Sequence, residues 1–198
     1  MRIWFVLFAL VSCATPALAG DAYLATGKTA ESPRGWVDFC ARLPRECTAY
    51  DKSVAWVELK GSRLHDLLDI NRRVNLQVKE VTDQEHYGVA EYWAYPDDGA
   101  GDCEDVALLK RRLLIQKGWP ASTLLMTVVV DKNGGGHAVL LVRTNVGDFI
   151  LDNQTNQVLR WDQTDFMRYA KRQSQSDPNR WVSMNAAVPV VGSLRHPQ

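Results

Sequence analysis

One cysteine stands among three carboxylates in Asp102-Cys103-Glu104-Asp105, just behind glycines at 99 and 101. His137 opens the apolar run HAVLLV, and Asp152 follows the apolar residues FIL. A thiol, an imidazole and a carboxylate in that chain order can serve as nucleophile, general base and orienting acid in acyl transfer. Taken singly, each has a plainer reading: a buried cysteine on a core helix, a strand-end histidine, a turn aspartate. Three carboxylates this close to a thiol oppose its ionisation unless a cation or a basic partner offsets them.

Chemistry of that kind requires elements that bring the three side chains together. Asp102 can cap a helix whose third residue, Asp105, caps back, and Gly118 with Pro120 then stop it. Cys103 falls in the first turn of about four turns of helix. There the free N–H groups and the helix dipole favour a thiolate. Beyond Pro120 the period becomes extended, with strands at Leu124 to Val130, His137 to Arg143 and Phe149 to Asn153, and a glycine-rich turn at 131–136. The triple glycine lacks the Gly-Lys-Ser/Thr and the following helix of a phosphate loop. An even register offset puts His137 and Asp152 on one face of this meander, a face that can meet the mouth of the cysteine helix. The tightest turn, at Val146-Gly147, would set Asp152 opposite Leu141, so contact with His137 then needs a longer loop or a bulge.

Upstream, Gly35 to Cys47 predicts a short helix and a loop. Lys52 to about Val78 follows near helical spacing, split at Gly61-Ser62, with Val57, Leu64, Leu67, Leu68, Ile70, Val74 and Leu76 as core positions. His65 and His86 read as surface or satisfied structural histidines. The aromatics of Tyr92-Trp93-Ala94-Tyr95-Pro96 suit either a cleft wall or core packing before a turn.

With 198 residues, 46% hydrophobic and 23% charged, the chain can build one substantial core. Formal charge is zero and basic residues are scattered, as at Lys110-Arg111-Arg112, so the footprint of a nucleic-acid binder is missing. Arg2, the apolar run Ile3 to Val11 and Ala17-Leu18-Ala19 form an export signal, too short to span a bilayer. Cleavage after Ala19 is expected. Leu10-Val11-Ser12-Cys13 resembles a lipoprotein box and offers lipidation at Cys13 as the alternative. Export makes Cys40 and Cys47 natural partners across Pro44 and leaves Cys103 as the free thiol. No Cys-x-x-Cys pair or close histidine cluster points to zinc.

The runs GDCEDVALLKRRLLIQKGWP, GHAVLLV and LDNQTNQV, with YWAYP and FCARLPREC upstream, resemble the bacterial transglutaminase-like cysteine proteinases across Trp36 to Trp181. The resemblance implies an α+β, papain-like (transglutaminase-like) fold, with the catalytic helix packed on an antiparallel β-sheet. It makes Cys103, His137 and Asp152 the triad of a cysteine endopeptidase that hydrolyses peptide bonds through a thioester. It also implies Ca2+ beside the nucleophile, with Asp102, Glu104 and Asp105 as ligands, and oxygen donors of that type suit the ion. Ordinary acid enrichment in a first helical turn is the alternative, for Asp105 above all. A signal peptide at 1–19 and one domain over 20–198, loose from about 185, are expected, with the mature protein periplasmic or secreted. The implied partners are a protein substrate such as a large surface adhesin and a membrane-anchored regulator, with no nucleic acid. Amine acyl transfer of the transglutaminase type and a non-catalytic binding module of the same fold are the competing readings.

Overall fold

Alternation in Leu124–Val130 and Gly136–Thr144 sends successive side chains to opposite faces, and both faces are apolar. The computed structural model buries them accordingly. Met126, Leu140 and Val142 join one core cluster, while Leu125, Val129, Val139 and Leu141 join a second. The structure describes residues 21–184. The expected signal peptide, Cys13, the Ala19 cleavage point and the tail from 185 lie outside the described residues.

The described chain begins with β1 (Thr29–Ala30), α1 (Arg34–Arg42) and a 3-10 turn at Pro44–Cys47, followed by α2 (Ser62–Gln77), β2 (Lys79–Glu80) and α3 (Asp83–His86). Next come β3 (Ala100–Gly101), α4 (Cys103–Gln116), β4 (Leu124–Val130), β5 (Gly136–Thr144) and β6 (Gly147–Leu151). It closes with β7 (Leu159–Arg160), β8 (Arg168–Gln173) and β9 (Trp181–Ser183). Seven strands form one antiparallel sheet in the order β1-β9-β8-β4-β5-β6-β7, and β2 with β3 forms a separate parallel pair. Helix α4 packs on β5 and β4 and is backed by α2. This is the α+β arrangement the sequence predicts. Among the described residues no helix is long and apolar enough to cross a membrane.

Helix α4 stops as its sequence dictates. Gly118 takes φ +83°, its N–H donates to the Ile115 carbonyl at 2.9 Å, and the Trp119 N–H donates to the Leu114 carbonyl at 3.1 Å. Helix α2 starts at Ser62 behind Gly61, as expected, but it buries a narrower stripe. Leu67, Ile70, Asn71 and Val74 face the core, whereas Leu64, Leu68 and Leu76 are exposed. Near-helical spacing over a long window mixes two faces, and only contact with α4 decides which is inside.

An aromatic core of Trp36, Phe39, Trp93 and Trp181 joins α1 to β9 and to the segment before β3, with ring centroids 5.4 to 6.4 Å apart. A Cβ on Gly35 would lie 2.2 Å from the Trp93 ring, so α1 packs this closely only because that position is glycine. Cys40 and Cys47 are bridged, and Cys103 is the free cysteine of the described residues. A loop that short contributes about 2–3 kcal/mol in the chain-entropy account. Among the described cysteines, thiol labelling without reductant is therefore expected to modify Cys103 alone; modification of all three would contradict it.

Candidate active site

The mouth of α4 is fixed by contacts from three directions. Strand β3, paired with β2, delivers the chain to Asp102. Gly101 sits where a Cβ would lie 2.6 Å from the Asp105 carboxylate, which is how that side chain fits beneath the turn. Asp105 Oδ1 accepts the Ala94 N–H at 2.7 Å and so ties the aromatic segment to the helix. The reciprocal capping expected of Asp102 and Asp105 is not what forms. Asp102 makes no side-chain cap, and its Oδ2 instead accepts the Asp83 N–H at 3.3 Å.

Cys103, half-buried, donates from Sγ to Glu104 Oε2 at 3.1 Å and accepts the Ala138 N–H at 3.4 Å. Burial pushes the thiol well above its ordinary pKa; the Glu104 charge and hydrogen bond add to the rise, and the Ala138 N–H works against it. The helix start thus does not by itself give the thiolate that its dipole favours. Glu104 is pushed up to about 9, by burial first and then by Asp102.

The meander supplies the other two residues. Leu140 pairs with Leu151 and Thr144 with Gly147, so the turn is Asn145-Val146, one residue earlier than the tightest turn read from sequence. Extending that register sets Asp152 beside Val139, two residues from His137 on the same face. Contact then needs neither a longer loop nor a bulge. His137 Nε2 lies 2.8 Å from Asp152 Oδ1, both residues are 6% exposed, and the His137 ring lies against Phe166. Nε2 being taken by the carboxylate, Nδ1 is the nitrogen left to serve as base. Asp152 is itself held: Oδ1 accepts the Gln154 N–H at 3.1 Å, and its carbonyl accepts from Asn75 Nδ2 at 2.9 Å.

The structure brings Cys103, Glu104, His137 and Ala138 together in one cleft of about 310 Å³, with Trp93, Val128, Glu91, Pro33 and Lys171 on its walls. Trp93 is therefore both core and cleft wall. The thiol's hydrogen bonds in this state go to Glu104 and Ala138, while the imidazole's goes to Asp152.

The acids divide into two overlapping groups. Asp102, Cys103 and Glu104 form one, and Asp83, Asp102 and Asp105 form the other, with donor atoms in each within 4.8 Å of one another. Asp102 Oδ1 and Asp105 Oδ2 are buried without a partner. Burial and mutual repulsion raise Asp102, and raise Asp105 to about 8. Orphaned carboxylate oxygens in a cluster that resists ionisation fit a hard divalent cation. Asp83, absent from the sequence reading, is the ligand candidate the fold adds, while Glu104 is turned to the thiol. His65 is exposed; His86 Nε2 pairs with Asp98 at 2.8 Å, while its Nδ1 is buried without a partner.

A helix that presents a lone thiol to an antiparallel sheet bearing an aspartate-bound imidazole is the architecture of the transglutaminase-like thiol enzymes. The family model of the bacterial transglutaminase-like cysteine proteinases (BTLCP) matches residues 26–188, and the chain belongs to that family. Among solved structures, calcium-bound LapG of Legionella pneumophila is 21% identical with a TM-score of 0.53, covering 79% of this chain and 93% of that one. Another structure of Legionella pneumophila LapG is 25% identical with a TM-score of 0.48 over 58% of this chain. There the match spans 65% of the LapG chain, under two thirds of its length. No curated protein matches the sequence.

Proposed function

We propose that this chain is an exported cysteine endopeptidase in which Cys103, His137 and Asp152 cut an extended segment of a surface or secreted protein. The observation that carries the reading is that His137, bonded to Asp152, lines the same cleft as the free thiol. Family membership supports peptidase chemistry, and the Cys40–Cys47 bridge accords with an oxidising compartment such as the periplasm.

His137 Nδ1 takes the Cys103 proton as Sγ attacks the backbone carbonyl, and Asp152 steadies the imidazolium through Nε2. The Cys103 N–H at the helix start is a donor to the oxyanion. As the intermediate collapses, His137 returns the proton to the leaving amine and a thioester remains on Sγ. His137 then deprotonates a water that attacks the thioester, the C–S bond breaks, Sγ regains the proton from His137 and the new carboxylate departs.

Calcium is part of the proposal. Asp83, Asp102 and Asp105 would hold the ion with Glu104 at its edge, and a solved LapG structure of the same fold is calcium-bound. The ion would supply a charge that cancels the carboxylate field on the thiol. His137, which lines the cleft with Cys103, is the acceptor for the thiol proton.

Hydrolysis and amine transfer share this site and differ in product. In water enriched in 18O, with a labelled primary amine present, cleavage of an exported protein mixture should yield new C-termini carrying 18O. The amine label should not appear on glutamine side chains; its appearance there without cleavage would make the chain a transglutaminase.

A further inference from the structure

The cleft that holds Cys103 does not end at the thiol. Pro33 and Lys171, on its walls, also line a second depression of about 640 Å³, which Glu31, Arg34 and Val37 help to form. One groove therefore runs from the mouth of α4, past the start of α1, toward the edge strand β1 that Glu31 directly follows.

The sheet register lays out the floor of this groove. Ala138 pairs with Val128, and Val128 with Lys171, so the three side chains stand in one cross-strand row. Val128 packs on the core cluster that includes α4, which puts the row on the face that meets the cysteine helix. Ala138 is the residue whose N–H reaches Cys103 Sγ at 3.4 Å. Neighbouring strands lie about 4.8 Å apart, so Lys171 stands about 10 Å across the sheet from Ala138. An extended peptide rises about 3.3 Å per residue, and a chain laid along the row meets Lys171 about three residues from the bond being cut.

Lys171 is half-buried, and its Nζ donates to the Glu31 carbonyl at 2.9 Å. That bond fixes the ammonium where the two depressions join, and an ammonium has donors to spare beyond one backbone acceptor. The other charges of the groove are placed differently. Glu91 and Glu104 line the thiol end and not the second depression. Arg34 Nε lies 3.8 Å from Asp38 Oδ2 on its own helix, and Glu31 is exposed, where water and salt screen its carboxylate.

Resting on the endopeptidase reading above, we propose that Lys171 is a specificity-determining residue: the groove takes an extended substrate with an aspartate or glutamate about three residues from the scissile bond, its carboxylate held by the Lys171 ammonium where the two depressions join. Pro33 and the exposed Val37 give the chain beyond that carboxylate an apolar surface.

The test digests a sequence-randomised synthetic peptide mixture in saturating calcium and reads the cut sites by mass spectrometry. Wild type is expected to enrich Asp and Glu at least about threefold at one position two to four residues from the cut. Lys171→Met should lose that enrichment, and Lys171→Glu should replace it with Lys and Arg. For one cleaved peptide, changing the acid to its amide should lower kcat/KM about tenfold in wild type and less than about twofold in Lys171→Met. No acidic preference in wild type, or the same preference in all three proteins, would overturn the inference. Should the variants fail to fold, wild type alone decides it: peptides with Asp, Asn or Lys at that position should be cut in falling order of kcat/KM, and equal values overturn the role. A library that wild type leaves as intact as Cys103→Ala does would overturn the peptidase reading and this inference with it, whereas cleavage without an acidic preference overturns the inference alone.

Discussion

Alanine at Cys103 or at His137 is expected to lower peptide cleavage by on the order of 10³-fold or more, with the melting temperature retained. On this reading Cys103 supplies the bond-forming atom, and His137 is the one imidazole among the described residues of the cleft. Asp152→Ala should cost less than either, because orientation is lost while base and nucleophile remain. The loss should be in kcat, since none of the three forms the Trp93 wall of the cleft. Initial rates on a cleaved exported protein, with calorimetric melts of the same samples, check the expectation. A variant that melts as wild type and retains a tenth of its activity would remove that residue from the triad.

The second large effect concerns pH and calcium. Glu104 and Asp105 sit at about 9 and about 8 in the folded chain, against 4.5 and 3.8 for ordinary glutamate and aspartate. The folded state therefore binds more protons than the unfolded state between those limits. By linkage, their contribution is full below about pH 4 and is lost as pH rises through the folded values. Lys110 shifts the other way, from 10.5 to about 7, so below pH 7 it is largely protonated in both states and contributes little slope. Chelated protein is expected to melt at least about 5 °C lower at pH 7 than at pH 5. Saturating calcium should remove that fall, because binding holds the carboxylates ionised, and calcium affinity should drop as the pH is lowered. Magnesium should do this less well, since it keeps its waters and demands a tight octahedral shell. Scanning calorimetry in chelator at the two pH values decides it. Equal melting temperatures would mean that the acids are not held protonated, and the reason for expecting an ion among them would go.

The parts legible in sequence were those that local chemistry specifies. Gly118 and Pro120 announce the end of α4 without reference to any other segment, and β-branched alternation announces β4 and β5. The Asn145-Val146 turn was not legible because a distant segment helps fix it. The Asn145 N–H donates to the Val57 carbonyl at 2.9 Å, Asn145 Oδ1 accepts the Leu59 N–H at 2.8 Å, and Gly147 at φ +128° packs on Ala22. Asp83 escaped notice for the same reason. Nothing in its own surroundings links it to Asp105; the parallel pairing of β2 with β3 does. Lys110 and Arg111 looked like solvated charges beside Arg112, yet both are buried. A lysine enclosed in a core is identical in sequence to one on a surface. The exposure of Leu64, Leu68 and Leu76 is the converse case, since apolar type alone does not say which stripe of α2 meets α4.

The central claim is that His137 activates the Cys103 thiol, and it can be measured without knowing the substrate. Burial and Glu104 hold the thiol high, so a reactive Cys103 requires the imidazole as proton acceptor. Iodoacetamide alkylation of Cys103, followed by intact mass in saturating calcium at neutral pH, compares wild type with His137→Ala. The account predicts a rate at least about tenfold faster in wild type; equal rates in two folded proteins would contradict it.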